Sequence, residues 1–516
     1  MAQSGDVLSF ADDDFSWVDP ALETAPTMPV TVPARVRPRR QNRTLKSDLE
    51  RLRAWLAARA LASPYRNRVL LAGSFLLALL VLALVLVRPL VGGDSTAPQR
   101  STTKEKKLTE VPAVKPPPKP RALEPGDRSP AVADLQTALG ALGFYSAGID
   151  GDYGDSTSAA VLAFQSAHGL AADGVAGPAT MEALAEAVSA GTRTDATTAQ
   201  QGLETASAAG RIPSATLTRA KKLLDDSVSR LGTMPPGRIA AVGPVFHDVA
   251  AQAADYDGPR ALALFSMLKA NVDFRATHAS SARKDIRDDD GIVYRSFENH
   301  GYQFHPIAAF AHLNSLARRG KREAVARLAP ALVERGVHSR GALVWEYYFP
   351  FGGPSRWSSG FAQAIAAQAL ARSGKLLGDD DLLAQAHAAF EGIGHGLYLE
   401  PGGGLWIREY GFSDMAVLNA DLQSLVSLSE YVRISGDSQA KTTLARLDST
   451  ARSLLPQFDT GCWSLYALGG SPASLHYHTY HVDLLHQLAA ETGDPFWKQT
   501  EDRWRGYLSS GGPTAC

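Results

Sequence analysis

The stretch GGGLWIREYGFSDMAVLNADLQSLVSLSEY (402–431) decides the fold. Its first half is a glycine-rich loop carrying Trp406, Tyr410 and Phe412 beside the ionisable Arg408, Glu409 and Asp414. From Val417 to Tyr431 the apolar residues recur at three and four positions, the spacing of one helix face. A chemistry-bearing loop that feeds an amphipathic helix is the repeating unit of helical barrels and toroids. The same alternation runs outward in both directions. Leu217–Leu231, Arg260–Lys269, Ile307–Leu316 and Phe361–Leu370 read as helices, as do Leu382–Phe390, Leu444–Leu455 and Val482–Leu488. Strand-like pieces are short: Leu405-Trp406-Ile407 and Trp463-Ser464-Leu465. Residues 213–516 are therefore expected to form a mainly α domain, an (α/α) barrel or toroid open at one end to a ligand.

Toward the N-terminus, residues 124–190 contain an internal repeat. IDGDYGDSTSAAVLAF gives Asp150-Gly151, Gly154 and Thr157; LAADGVAGPATMEAL repeats the spacing with Asp173-Gly174, Gly177 and Thr180. Each Asp-Gly suits a tight turn with positive φ, and each Thr is expected to cap the next helix. Val132, Leu135, Leu139 and Leu142 mark a further helix ending at Gly143, so the unit reads as a three-helix bundle. An Ala/Thr/Gln-rich segment, 191–212, reads as a linker to the main domain.

The first 123 residues read differently. Val69–Val87, VLLAGSFLLALLVLALVLV, carries no charge and would span roughly 28 Å as a helix, close to a bilayer core of about 30 Å. A single transmembrane helix is expected over 69–90. Residues 1–68 are expected to be cytoplasmic and largely disordered, with a juxtamembrane amphipathic helix from Thr44 to Leu61. Arg35, Arg37, Arg39, Arg40 and Arg43 tip the charge balance toward an internal N-terminus. Residues 91–123, with Pro112, Pro116, Pro117, Pro118 and Pro120, form an extended linker.

A net charge of −1 excludes a globally basic nucleic-acid binder, and 45% hydrophobic residues suffice for a large core. Two cysteines, Cys462 and Cys516, exclude a disulfide framework and a Cys-based zinc site. A bridge between them is compatible with an oxidising compartment.

Residues 124–190 closely resemble the peptidoglycan-binding domain type 1 family, including Leu135-Gln136, Gly143-Phe144, Phe164-Gln165 and Gly169-Leu170. The resemblance implies a bundle docking on peptidoglycan, which places the C-terminal domains outside the cell membrane.

Roughly residues 340–510 resemble the C-terminal domain of the D-glucuronyl C5-epimerase family. The ordered motifs are RWSSGFAQAIAAQAL (356–370), GGGLWIREYGFSDMAVLN (402–419), GCWSLYALGG (461–470) and SLHYHTYHVDLL (474–485). Members invert C5 of a glucuronate within a polymer, and need no cofactor. A base removes the proton beside the carboxylate and an acid returns one on the other face. Carried over by motif, the acid/base residues are Tyr410 with Glu409, Tyr466 and Tyr477. Arg408 and Arg356 are expected to meet the substrate carboxylate, Asn419 and Trp357 to position sugars, and His478 and His481 to assist. A free tyrosine has a pKa of about 10, and lowering it to near 7 takes about 4 kcal/mol of preferential phenolate stabilisation.

No metal is expected at the two histidines, since no matching carboxylate motif stands nearby. The sequence departs from the family at Ala467-Leu468-Gly469 and at His476 before Tyr477, which weakens a heparan-type substrate. The implied partners are peptidoglycan, an acidic uronate-containing polysaccharide and the membrane, with a homodimer allowed. Two alternatives stay open: a polysaccharide lyase using the same proton abstraction, and a non-catalytic adaptor binding peptidoglycan and an acidic glycan.

Overall fold

The computed structural model describes residues 121–278 and 283–509. The expected membrane span at 69–90, its juxtamembrane helix, the linker up to residue 120 and Cys516 lie outside them. Among the described residues no helix is long and apolar enough to cross a membrane.

The N-terminal bundle consists of α1 (Pro130–Ala141), α2 (Asp155–Ala167) and the start of α3 (Pro178–Ala208). Its internal repeat has a physical basis in two buried glutamines. Gln136 donates to Asp150 (2.8 Å), to the Asp152 carbonyl (3.0 Å) and to Thr157 (3.0 Å), and accepts from the Asp150 and Gly151 amides. Gln165 repeats this with Asp173 (2.8 Å), the Val175 carbonyl (3.0 Å), Thr180 (3.0 Å) and the Gly174 amide. Each Asp-Gly turn is thus stapled to the helix before it. Thr157 and Thr180 are not N-caps: Gly154 and Gly177 hold those positions. The threonine hydroxyls are used by the glutamines instead.

The segment 191–212 is not a linker. Helix α3 runs unbroken for 31 residues out of the bundle, and Ala196, Ala199, Gly202, Leu203 and Ala206 bury one small-residue face. That face packs on α5 (Pro236–Ala251) and on the short turn at Ala253–Asp255. Close approach is obligatory at Gly202, where a Cβ would lie 2.7 Å from that of Ala253. Helix α1 docks on α5 too: a Cβ at Gly237 would sit 1.9 Å from the Asp134 carbonyl oxygen, and Arg238 bonds the Asp134 carboxylate at 3.2 Å. The bundle is seated on the main domain.

The main domain continues with α4 (Ser214–Leu231), α5 and α6 (Gly258–Thr277), then a three-stranded antiparallel sheet, β1 (Asp285–Arg287), β2 (Val293–Phe297) and β3 (Gly301–Phe304). Helix pairs follow: α7 (Pro306–Arg318) with α8 (Arg322–Val333), α9 (Gly360–Leu377) with α10 (Asp380–Ile393), α11 (Leu418–Ser435) with α12 (Ser438–Leu454), and α13 (Leu475–Thr492) with α14 (Pro495–Tyr507). The first of each pair packs on the next pair's first helix, α7 on α9, α9 on α11, α11 on α13, while the second lies outside its partner. Burial follows: α9 hides residues all round, from Gly360 to Gly374, whereas α14 buries only Trp497, Thr500, Glu501 and Trp504. This is the two-layered (α/α) arrangement anticipated from the periodicity.

Two-residue hairpins sit between the pairs, β8 (Tyr398–Leu399) against β9 (Trp406–Ile407) for instance. The helices α5, α8 and α14 do not announce themselves in sequence, since Pro244 and Pro330 lie inside α5 and α8. SLHYHTYHVDLL is helix from Leu475 onward, capped by Ser474, whose hydroxyl accepts from the Tyr477 amide at 3.3 Å.

Candidate active site

Tyr410 follows β9 on a turn clamped against the start of α9. The Gly360 amide donates to the Arg408 carbonyl and the Gly411 amide to the Ser358 carbonyl, both at 2.8 Å. Both glycines are needed for this approach: a Cβ at Gly411 would stand 2.7 Å from the Ser358 carbonyl oxygen, and one at Gly360 2.7 Å from that of Leu397. Tyr466 arrives from a second loop. The Leu418 amide donates to the Tyr466 carbonyl (3.0 Å) and the Leu468 amide to the Ala416 carbonyl (3.0 Å), pairing 416–418 with 466–468. The Tyr410 and Tyr466 hydroxyls end 3.3 Å apart. Tyr477, in the first turn of α13, sets its ring against Tyr466 with centroids 4.8 Å apart and planes at 62°. Three phenols from three chain segments therefore form one wall.

Aromatic rings extend it. Tyr410 lies 5.9 Å from Phe351, 5.9 Å from Trp357 and 6.0 Å from Phe412, centroid to centroid. Trp357 stacks on Tyr347 at 4.0 Å and donates its indole N–H to the Phe349 carbonyl. Phe351 and Phe412 are half-buried, so apolar ring surface borders the phenols. Sequence reasoning missed both, because an isolated Phe in a loop carries no signal of its own.

The remaining candidates fall into distinct environments. Glu409 is buried and close enough to Tyr480 that, after burial itself, its charge is the main influence pushing that phenol well above its ordinary range. Tyr480, three residues after Tyr477 on the same helix face, donates to Gln423 at 2.8 Å. Asn419, in the first turn of α11, is buried, and its Oδ1 meets no donor among the described residues. Arg408 bonds Asp414 at 3.1 Å beside a surface cavity of about 510 Å³ lined by Tyr398, Leu399, Glu400 and Pro401. Arg356 bonds Asp255 at 3.0 Å and approaches Glu346 at 3.7 Å. Both arginines thus already carry carboxylate partners.

His478 and His481 belong to the packed interior behind the phenols, each with none of its surface exposed. The Ser464 amide donates to Nδ1 of His478 (3.2 Å), so Nδ1 is an acceptor and Nε2 donates to the Trp504 carbonyl (3.0 Å). His478 also stacks on Trp463 at 3.8 Å. Ser464 Oγ lies 2.9 Å from Nδ1 of His481. Burial lowers both imidazoles, His481 to about 3, so both are neutral at ordinary pH. They brace the helix that carries Tyr477 rather than line its surface. Among the described residues no group of three or more His, Cys, Asp or Glu side chains is arranged to hold a metal ion.

A two-layered helical domain whose inter-helix loops gather phenols into one wall is the architecture of a sugar-epimerase type of domain, and the comparisons say which. Residues 340–506 match the family described as D-glucuronyl C5-epimerase C-terminus, and residues 128–184 match the peptidoglycan-binding domain family, in that order along the chain. The D-glucuronyl C5-epimerase of Caenorhabditis elegans is 30% identical over 200 residues, covering 34% of this chain and 31% of that protein. The N-acetylmuramoyl-L-alanine amidase CwlM of Mycobacterium tuberculosis is 47% identical over 53 residues, 10% of this chain and 13% of its own length. The chain thus spans under a third of either relative. Among solved structures, the cellobiose 2-epimerase from Bacillus thermoamylovorans B4167 is 15% identical with a TM-score of 0.33, covering 44% of this chain and 67% of its own.

Proposed function

We propose that this protein is a C5-epimerase of uronate residues in an envelope polysaccharide, held at peptidoglycan by its N-terminal bundle and at the membrane by residues 69–90. The observation that carries the reading is the meeting of Tyr410, Tyr466 and Tyr477 within the segment that matches the epimerase family. The C5 proton of a uronate is acidified by the neighbouring carboxylate, so its removal needs a poised base and donors for the enediolate. A phenolate at Tyr410 would be stabilised by the Tyr466 hydroxyl, since a hydrogen bond to the charged form favours that form. Asn419 would be satisfied by a sugar hydroxyl donating to its buried oxygen. The adjacent phenylalanines suit the apolar face of a pyranose. The domains beyond the anchor would lie outside the cytoplasm, where peptidoglycan is.

The test is solvent isotope exchange. Incubation with uronate-containing glycans in heavy water should place deuterium at C5, and Tyr410→Phe should suppress it. A shortened product absorbing in the ultraviolet would instead identify a lyase. No exchange and no elimination across a broad panel, with retained glycan binding, would leave the adaptor.

A further inference from the structure

Inversion requires proton-transfer groups on both faces of the sugar ring. The three phenols form one continuous wall, because Tyr466 touches Tyr410 with its hydroxyl and Tyr477 with its ring. A group for the opposite face has to come from another element.

We propose that His300, oriented by Asp248, is that group. His300 closes the turn between β2 and β3, where its amide donates to the Phe297 carbonyl at 3.1 Å. Its Nδ1 lies 2.9 Å from Oδ2 of Asp248, and the Gln303 amide donates to the same carboxylate oxygen at 2.9 Å. Asp248, on α5, is only 4% exposed, while the His300 side chain is 24% exposed. A buried carboxylate on Nδ1 sets the tautomer and turns Nε2 away from the core, as in any acid-oriented imidazole base. His247, the neighbouring residue on α5, bonds Asp195 on α3 at 3.6 Å and leaves the Asp248 side of the imidazole to His300.

Placement supports the role. The His300 ring lies 5.4 Å from Phe349, Phe349 lies 6.3 Å from Phe351, and Phe351 lies 5.9 Å from Tyr410. Imidazole and phenol stand at two ends of an aromatic strip whose middle member, Phe351, is half-buried and open to a sugar face. His300 also precedes the matched segment 340–506, so the motif comparison does not assign it.

The inference rests on the epimerase reading above. Neutral Nε2 takes the C5 proton as the C5–H electron pair moves into the carboxylate to form the enediolate. Tyr410 then gives its phenolic proton to C5 on the other face, making the inverted C–H bond. Imidazolium and phenolate return to rest by proton exchange with water.

The test uses the full chain with His300→Gln and Asp248→Asn, and two readouts. In the exchange assay, His300→Gln should lower kcat by about 100-fold with KM within about twofold, the size of a lost acid/base group. Asp248→Asn, which disturbs only orientation, should lower kcat by about 10-fold with KM unchanged. Exchange by His300→Gln at the wild-type rate overturns the proposal. The second readout is the His300 imidazole resonance during titration with the same uronate oligosaccharides. If wild-type protein exchanges nothing, the epimerase reading fails by itself; a shift of that resonance still keeps His300 in the glycan site, and an unmoved resonance removes it.

Discussion

The hydroxyls of Tyr410 and Tyr466 lie 3.3 Å apart although 56 positions separate them in the chain. Two loops, each anchored by backbone pairing, present these phenols to one another. Tyr477 completes the wall from a helix. A contact built by three separate elements is a property of the folded chain alone.

The phenols should be separable from stability. Tyr410→Phe and Tyr477→Phe are expected to cut C5 exchange by about 100-fold or more. Each should change folding free energy by only about 1 kcal/mol, the net worth of one hydrogen bond. Exchange kinetics beside thermal melts check this, and a large drop in melting temperature would mean the phenols serve packing instead.

Gln136 should matter more to the bundle than its type suggests. It makes hydrogen bonds to Asp150, Asp152, Thr157 and the Asp150 and Gly151 amides from a fully buried position. Gln136→Ala leaves several buried partners unsatisfied and should cost about 3 kcal/mol, with Gln165→Ala similar. Hydrogen exchange at the Gly151 and Gly174 amides reads the loss directly.

Bundle and main domain should unfold together. Gly237 touches the Asp134 backbone, and α3 belongs to both cores. Calorimetry of the wild type is expected to show one transition for them. Gly237→Val drives a side chain into a backbone, should cost more than about 3 kcal/mol, and should split that transition in two. Two transitions in the wild type would refute the fused arrangement.

The histidine pair should give stability an acid limb. His481 is lowered to about 3 by burial, against about 6.5 in an unfolded chain. The unfolded state therefore binds the extra proton as pH falls. The stabilisation is full above about pH 6.5 and declines toward pH 3 by up to about 1.4 kcal/mol per unit. Asp421, raised to about 8 by burial, acts oppositely, losing stability as pH rises from about 4 to 8. Denaturant titrations of wild type against His481→Gln isolate the histidine: the difference in stability should shrink from pH 7 to pH 4.

Much of this protein is legible in its sequence, because helix periodicity and turn chemistry are local. The apolar spacing from Val417 to Tyr431 and the paired Asp-Gly turns need only a few neighbouring residues to be read, and they marked eight of the main-domain helices and the repeat of the bundle. The order of loop motifs likewise marked Tyr410, Tyr466 and Tyr477 before any contact between them was visible.

What only the tertiary structure decided are questions of direction and distance. A one-dimensional motif cannot say that Arg408 and Arg356 turn to carboxylates, or that His478 and His481 point into the core beneath Tyr477. Nor can composition say that 191–208 continues a helix: its alanines, threonines and glycine resemble a linker until α5 lies against them, and then their smallness is what allows the close packing. Burial and pairing depend on residues far away in the chain, so they are fixed only when the elements pack.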